Sequence, residues 1–323
     1  MGSTTSTPTT EYAGVPPGNV RTAMEAASLH PEEIKGKTYI ITGAYSGIGV
    51  ETTKTLLKYK AKKVIIGGRS QSKIDEFIAQ LKEEGYNKDA IDGYVIDLSD
   101  LVSVQNFTKY VVKTYKQIDV LINNAGVMMT PAETTKQGYE IQFGTNVIGH
   151  YLLNKNLVDI TKRQVWVSSE GHHMGNSLKL DLSKVKNSKD YDITTKYDSA
   201  WRYQQSKLGN ILIAKEFMTR YSNVNLESVS LHPGVIQTNL SRHMNPILIS
   251  IMKFYLWITG MSIKSIEQGA ATTITCTVLP TSKLENGSYY MDCELKEPNI
   301  NATDMDDAKA LFDYCDKETK QYQ

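Results

Sequence analysis

Cysteine is scarce in this chain of 323 residues, which contains only Cys276, Cys293 and Cys315, all late in the sequence. Their spacing matches neither a disulfide framework nor a zinc-binding motif. The first residues also lack the apolar run of a secretory signal. We therefore expect free thiols in a reducing, cytoplasmic compartment and no bound metal.

An excess of charge of either sign is also absent, because 36 Lys and Arg residues nearly balance 35 Asp and Glu residues. A protein that binds nucleic acid would favour a basic stripe, so we expect no nucleic-acid partner.

Long apolar runs are missing as well. The most apolar stretch, residues 245–262, is interrupted by Lys253 and is shorter than the roughly 20 residues that a membrane-spanning helix needs. Three interpretations stay open: a core-facing helix, a wall of an apolar pocket, or peripheral contact with a membrane or lipid droplet. All three agree with an apolar small-molecule substrate.

Two regions differ in composition. Residues 1–35 begin with a Ser-, Thr-, Pro- and Gly-rich segment and are expected to form a flexible tail, although residues 21–36 could pack on the domain surface. From residue 36 to 323, β-branched apolar runs alternate with amphipathic helical patterns. This order predicts one α/β domain, a single doubly wound parallel sheet with helices on both faces, of the Rossmann type. Ligands of such sheets bind at the carboxyl ends of the strands.

The first apolar run ends in the sequence TGAYSGIG, residues 42–49. A glycine-rich turn between a strand and a helix lets the backbone approach a pyrophosphate, which the helix N-terminus then stabilises. The glycines Gly43, Gly47 and Gly49 differ in spacing from the general dinucleotide fingerprint, and a tight turn without a ligand is the alternative.

The second run ends in GGR, which places Arg69 where a dinucleotide site discriminates the ribose 2′ position. An acidic residue there binds a free hydroxyl, whereas arginine suits a 2′-phosphate. With no Asp or Glu beside Arg69, the sequence favours NADP(H) over NAD. An exposed arginine without a function is the alternative.

Three tyrosine–lysine pairs have the same four-residue spacing: Tyr59 with Lys63, Tyr151 with Lys155, and Tyr203 with Lys207. Spacing alone therefore cannot identify a catalytic pair, although residues i and i+4 share one face of a helix.

The motif order decides between them. TGAYSGIG, NNAG (residues 123–126), Asn146, VSS (167–169), YQQSK (203–207) and HPGVIQT (232–238) resemble the short-chain dehydrogenase/reductase family. The segments YQQSKLGNILIAKEF and NGSYYMDC resemble its retinol dehydrogenase and WW-domain oxidoreductase branch, although no WW domain is recognisable. The resemblance covers residues 34–320 and selects Tyr203 with Lys207.

The resemblance implies a role for each catalytic candidate. Tyr203 would exchange the proton on the substrate oxygen, and the Lys207 ammonium would lower the tyrosine pKa and bind the nicotinamide ribose. Ser169, with Ser168 as the alternative, would donate a hydrogen bond to that oxygen. Asn146 would hold a relay water, although a solvated or locally bonded asparagine is the alternative.

Cofactor contacts are also implied by the resemblance. Asp97 would bind the adenine amino group, Asn124 and its neighbours would pass the adenine ribose, and Ile236 and Thr238 would meet the carboxamide. The alternatives are a helix N-cap at Asp97 or Ser99 and a plain turn at residues 233–234. The cofactor-binding candidates are Gly43, Ser46, Gly47, Ile48, Gly49, Arg69, Asp97, Leu98, Asn124, Ala125, Gly126, Tyr203, Lys207, Pro233, Gly234, Ile236 and Thr238.

One departure from the family lies between Ser169 and Tyr203, which are 34 positions apart and enclose a polar, lysine-rich insertion at residues 175–200. We expect it to form a flap beside the substrate entrance, with His172 and His173 at its base. These histidines could line the pocket, but surface positions are favoured. A substrate lid is expected around residues 237–265.

Two functions remain from the sequence. The first is an NADP-dependent oxidoreductase acting on an apolar aldehyde, ketone, alcohol or retinoid-like compound. The alternative is a low-turnover NADPH-binding sensor or scaffold. The complete set of Asn146, Ser169, Tyr203 and Lys207 favours the enzyme, because a binding module needs no proton donor. By analogy with the family, a homodimer is one expected assembly.

Overall fold

The computed structural model describes residues 21–173, 179–189, 191–195, 197–236 and 263–323. These residues contain a single sheet with parallel pairing except at one edge. Its strands are β1 (Thr38–Thr42), β2 (Lys63–Gly68), β3 (Ile91–Val95), β4 (Ile118–Asn123), β5 (Thr161–Val167), β6 (Glu227–His232), β7 (Tyr289–Met291) and β8 (Glu294–Lys296). Their spatial order is β3-β2-β1-β4-β5-β6-β7-β8. Neighbours pair in parallel through β7, and β8 adds an antiparallel edge.

Helices connect the strands. They are α1 (Ala23–Ser28), α2 (Ile48–Lys58), α3 (Gln71–Glu83), α4 (Leu101–Thr114), α5 (Ile141–Phe143), α6 (Gly149–Leu157), α7 (Ser199–Arg220), α8 (Ile266–Gly269), α9 (Ala271–Val278) and α10 (Met305–Thr319). A π-helical turn, Gly144–Ile148, joins α5 to α6. Single 3-10 turns include Glu170–His173, Leu182–Lys184 and Ile300–Thr303.

The sheet has a hydrophobic core on each face. Strand alternation sends Ile40 to one core and Tyr39 and Ile41 to the other. The first core contains the apolar faces of α4, α6, α7 and α10, and the second contains those of α1, α2, α3 and α9. This arrangement confirms the predicted doubly wound α/β fold, with the antiparallel β8 as an addition that the sequence pattern did not indicate.

The packed domain begins earlier than the predicted boundary at residue 36. Thr22 and Glu25 form a capping box at the start of α1, and Ala23, Ala26 and Ile34 are buried. Residues 22–34 therefore pack on the domain, which was the alternative interpretation of this stretch. Residues 1–20 of the expected tail lie outside the described residues.

Other predictions fall partly or wholly outside the described part of the chain. The apolar stretch 245–262 and Thr238 lie outside it, as does the expected lid except for residues 263–265. Of the insertion, residues 179–189, 191–195 and 197–200 are described. Within the described residues, no helix combines the length and the apolar character needed to cross a membrane.

Candidate active site

The glycine-rich turn lies at the carboxyl end of β1, where the Gly43 N–H donates to the Gly67 carbonyl of β2 at 2.8 Å. Gly43 and Gly47 have φ values of +67° and +54°, a region that glycine adopts without strain. A Cβ on Gly49 would collide with the Gly43 carbonyl oxygen. No side chain caps α2, whose N-cap is Gly47. A helix N-terminus that has no side-chain cap and is preceded by glycine backbone can bind a pyrophosphate through its N–H groups.

The two other cofactor-binding candidates in this turn are Ser46 and Ile48. Ser46 is exposed, and its carbonyl accepts from the Gly49 N–H at 3.1 Å. Ile48, the first residue of α2, is buried against the second core.

The NNAG motif is tied to the same turn. The Asn124 side chain donates to the Thr42 carbonyl at 2.8 Å. The backbone N–H groups of Asn124 and Ala125 both donate to the Thr42 hydroxyl at 3.0 Å. A Cβ on Gly43 would lie 3.1 Å from the Ala125 Cα, so the two motifs pack against each other. The ends of β1 and β4 thus form one rigid corner.

The adenine-side candidates follow β2 and β3. Arg69 is exposed directly after β2, and Gly68 lies under the Tyr45 ring. One Asp97 carboxylate oxygen accepts from the Ser99 N–H at 2.9 Å. The N-cap of α4 is Asp100, so the alternative of an N-cap at Asp97 or Ser99 is wrong.

Leu98 follows Asp97 and is buried, with its carbonyl against α6 where Gly149 leaves room for it.

The segment after β6 also lies near the turn, because a Cβ on Gly269 would contact both Ile236 and Ile48. Gly234 has a φ of +98°, and Ile236 pairs with Lys264 in an isolated β-bridge. The buried Lys264 side chain crosses Gly234 and forms an ion pair with Asp292. Pro233 is half-buried at the start of this segment.

Tyr203 and Lys207 lie on the first half of α7, which begins at the N-cap Asp198. Both side chains are buried. The Lys207 Nζ donates to the Val167 carbonyl at 2.9 Å and lies 5.6 Å from the centroid of the Tyr203 ring. A side-chain hydrogen bond joins Tyr203 to Ser169. The structure therefore brings these three candidates together at the end of β5.

The two serines of the VSS motif have different surroundings. The Ser168 hydroxyl is buried and donates to the Lys207 carbonyl at 2.7 Å. Ser169 is half-buried and its hydroxyl accepts from the Gly171 N–H at 3.1 Å. Ser169 faces Tyr203, whereas Ser168 holds α7 on the sheet.

Asn146 lies in the π-helical turn and is completely buried. Its amide accepts from the Val127 N–H at 2.9 Å and donates to the Val127 carbonyl and the Ser206 hydroxyl, both at 3.0 Å. A Cβ on Gly126 would lie 3.3 Å from the Asn146 Oδ1 and 3.6 Å from the Lys207 Nζ. Gly126 thus leaves open the space between these side chains.

Burial sets the protonation of the central pair. It raises the pKa of Tyr203 to about 12, against the opposing effect of the Ser169 hydrogen bond, and lowers the pKa of Lys207 to about 8. The sequence predicted a lowered tyrosine pKa, and the direction is the opposite because loss of water disfavours the phenolate. At neutral pH the phenol is therefore protonated and is suited to donate a proton.

The other two tyrosine–lysine pairs serve packing. The Tyr59 hydroxyl donates to the Met24 carbonyl at 3.1 Å, and the Tyr151 hydroxyl donates to Asp316 at 2.9 Å. Lys63 and Lys155 bind the Asp89 carbonyl and the Tyr221 hydroxyl respectively.

The favoured surface position is wrong for His172, which is completely buried. Its Nδ1 donates to the Ser169 carbonyl at 2.5 Å and its Nε2 accepts from the Asn299 N–H at 3.2 Å. His173 is only half-buried. No cluster of three or more His, Cys, Asp or Glu side chains suited to a metal ion occurs in the described residues.

Two residues of the site were not singled out from the sequence, Thr42 and His150. The Thr42 hydroxyl lies 2.9 Å from the His150 Nε2. Both had a signal: Thr42 is a polar residue between an apolar strand and the first glycine, and His150 follows Asn146 by one helical turn.

Known proteins resemble this chain over most of its length. Retinol dehydrogenase 14 of Mus musculus is 35% identical over 88% of this chain and 86% of that protein. Retinol dehydrogenase 11 of Homo sapiens is 32% identical over 88% of this chain and 86% of that protein. The family model described as short chain dehydrogenase matches residues 37–175. This chain belongs to the short-chain dehydrogenase/reductase family. Within that family it falls in the retinol dehydrogenase-like branch.

Solved structures share this fold. The short-chain dehydrogenase/reductase described here superposes on an uncharacterised protein from Mycobacterium Paratuberculosis with a TM-score of 0.69 and 26% identity, over 90% of this chain and 97% of that one. An actinorhodin polyketide ketoreductase, solved with NADPH, has a TM-score of 0.61 at 19% identity, which supports the fold alone. Members of this family are oxidoreductases that bind a nicotinamide cofactor, and the glycine turn described above fits one.

Proposed function

We propose that this protein transfers a hydride between NADP(H) and the carbonyl or alcohol group of an apolar substrate, such as an aldehyde, a ketone or a retinoid-like compound. The observation that carries the proposal is the cluster of Ser169, Tyr203 and Lys207. This cluster and the glycine turn both lie at the carboxyl ends of the parallel strands. The retinol dehydrogenases among its relatives support an apolar substrate.

The reaction needs one proton for each hydride. The nicotinamide, when bound, supplies the hydride for reduction and accepts it for oxidation. In reduction, Tyr203 donates its phenolic proton to the substrate oxygen, and the Ser169 hydroxyl donates a hydrogen bond to that oxygen. The Lys207 ammonium then stabilises the phenolate that remains.

Proton supply to the tyrosine involves the lysine and Asn146. Lys207 is held at the Val167 carbonyl, and a pKa of about 8 leaves it charged at neutral pH while it can still release a proton. Asn146 is proposed to hold the water that connects Lys207 with solvent. Gly126 keeps the space between their side chains clear.

The proposed cofactor is NADP(H). Backbone N–H groups at Gly47 and Ile48 would bind the pyrophosphate, and Arg69 would bind the 2′-phosphate through its planar guanidinium. The Asp97 Oδ1 accepts hydrogen bonds from the Ser99 N–H and the Ser99 hydroxyl. The other carboxylate oxygen of Asp97 would bind the adenine amino group.

Replacement of Tyr203 by Phe tests the chemistry. The variant retains the ring but not the proton, so we expect kcat for reduction of apolar aldehydes to fall about 100-fold or more, while NADPH still binds. The measurement is the loss of reduced-nicotinamide absorbance with a panel of apolar aldehydes and ketones, retinal included. Tyr151→Phe is the matched control, because that hydroxyl also has a lysine four residues later but contacts Asp316.

Undiminished turnover in the Tyr203→Phe variant would refute the mechanism. A wild-type protein that binds NADPH but reduces no member of the panel would instead favour the alternative, a low-turnover NADPH-binding sensor or scaffold.

A further inference from the structure

His150 is a completely buried histidine on α6 to which the reaction above assigns no role. Its Nδ1 lies 3.0 Å from the Asn146 carbonyl oxygen and its Nε2 lies 2.9 Å from the Thr42 hydroxyl. The ring therefore contacts a candidate catalytic residue on one side and the start of the phosphate-binding turn on the other.

The hydrogen-bonding partners determine where the protons lie. A carbonyl oxygen can only accept, so Nδ1 carries the ring proton and donates to Asn146. The Thr42 oxygen already accepts the N–H groups of Asn124 and Ala125 at 3.0 Å each. Its own proton is then directed at the unprotonated Nε2, since its other acceptor, the Ile122 carbonyl, is farther away at 3.4 Å.

The environment keeps this ring neutral. Burial lowers the pKa of His150 to about 4, and the Lys207 charge acts in the same direction. The Trp166 ring packs edge-on at 6.2 Å, and the Asn154 side chain donates to the His150 carbonyl at 2.7 Å. The histidine is therefore held in one orientation and one tautomer.

We propose that His150 is a positioning residue that couples the phosphate-binding corner of the sheet to the catalytic helix region. The coupling runs as one chain of hydrogen bonds, from the backbone of Asn124 and Ala125 through the Thr42 hydroxyl and His150 to the Asn146 carbonyl. Asn146 in turn fixes Val127 and Ser206, the neighbour of Lys207. This inference rests on the proposed function, because it deepens the roles given to Asn146 and the glycine turn.

This series of hydrogen bonds accounts for two features of the structure. Asn146 lies in a π-helical turn, and its carbonyl oxygen is 3.0 Å from the His150 side chain one turn later. Thr42 ends a buried apolar strand, where an unsatisfied hydroxyl would be costly. The imidazole supplies a donor to the Asn146 carbonyl and an acceptor for the Thr42 hydroxyl proton, at opposite edges of a rigid ring.

The test compares His150→Phe, which retains a flat ring but no hydrogen bonds, with His150→Gln, which retains a donor and an acceptor. We expect His150→Phe to weaken NADPH binding and to lower kcat, each by about tenfold, because the Asn146 carbonyl loses a donor and the Thr42 hydroxyl loses its nearer acceptor. His150→Gln should recover part of both losses. Tyr151→Phe, the adjacent buried residue, loses one hydrogen bond to Asp316 and should change neither quantity.

A double-mutant cycle with Thr42→Val distinguishes coupling from general destabilisation. Because both substitutions break the same series of hydrogen bonds, their combined effect on the NADPH dissociation constant should be less than the product of the two single effects. Multiplicative effects, or an unchanged dissociation constant and kcat in a folded His150→Phe variant, would overturn the proposal.

Nitrogen NMR of the His150 ring tests the arrangement without cofactor or turnover. We expect the Nδ1–H tautomer and a shift of the Nε2 signal in the Thr42→Val variant. We also expect no titration of the ring between pH 5 and pH 8, because its pKa is strongly lowered. The opposite tautomer, or an Nε2 signal that ignores Thr42→Val, would contradict the coupling even if the protein bound no dinucleotide. A protein with the expected ring signals that fails to bind NADPH would contradict the proposed function instead.

Discussion

At the scale of single residues, Arg69 is the residue on which the choice of NADP(H) over NAD rests. It is exposed at the end of β2, between the glycine turn that follows β1 and Asp97 that follows β3. Arg69→Ala removes a charge-assisted contact worth about 1.5–3 kcal/mol, so the KM for NADPH should rise about 10- to 100-fold. The KM for NADH should stay nearly constant because that cofactor has no 2′-phosphate.

Initial-rate kinetics with both cofactors check this prediction. Lys88→Ala is a matched control, since it removes another exposed cation from the opposite end of β3. Equal increases for NADPH and NADH would remove the case for a 2′-phosphate site at Arg69.

The sequence could single out the candidate catalytic residues but not the contacts that set their pKa values. Tyr203 and Lys207 stand in a motif whose place in the strand–helix order is readable from the chain. Burial raises the pKa of Tyr203, and the hydrogen bond that opposes this effect comes from Ser169, which is distant in sequence. Thr42 and His150 are likewise separated by 108 positions, and no local pattern joins them. Pairings of this kind arise only when the sheet is assembled.

At the scale of elements, the insertion before α7 is fastened on both sides of Tyr203. The Arg202 guanidinium donates to the Lys184 carbonyl at 2.6 Å. The Gln205 amide donates to the Lys179 carbonyl at 2.7 Å and accepts from the Asp181 N–H at 2.9 Å. The described part of the predicted flap is therefore bound to the helix that carries the proposed acid.

Gln205→Leu should release this attachment, because it leaves a backbone donor and a backbone acceptor without partners at a cost of about 1–3 kcal/mol each. We expect faster amide hydrogen exchange across residues 179–185, with α7 itself unchanged. Gln204→Leu is the matched control, since Gln204 is the preceding glutamine of the same helix, whereas the hydrogen bonds to Lys179 and Asp181 come from Gln205. Unchanged exchange in Gln205→Leu would show that other contacts hold the segment.

Long periodic elements were predictable and short ones were not. The amphipathic pattern of residues 102–115 predicts a helix there, and the structure has α4 within one residue of it. The pattern of residues 73–84 predicts a second helix, which matches α3 within two residues. The antiparallel β8 and the π-helical turn gave no signal, because three residues or one widened turn carry too little periodicity. Both depend on tertiary contacts, as does α1, which is short and held by its capping box and by burial.

At the scale of the whole molecule, the C-terminal helix α10 closes the core that supports α7. Phe312 is buried, with its ring 4.9 Å from that of Tyr151 on α6 and 5.0 Å from that of Phe217 on α7. The Arg220 guanidinium lies 4.3 Å from the same ring. One side chain thus joins three helices on one face of the sheet.

Phe312→Ala should therefore lower the free energy of unfolding by about 3–5 kcal/mol, through lost burial and the cavity that remains. Equilibrium denaturation with urea measures the change, and Met305→Ala, at an exposed position of the same helix, should alter it little. Because Phe312 contacts the second half of α7 whereas Tyr203 and Lys207 lie on the first, kcat of the folded variant should remain close to that of the wild type. A loss of kcat as large as the loss of stability would mean that α10 also positions the catalytic pair.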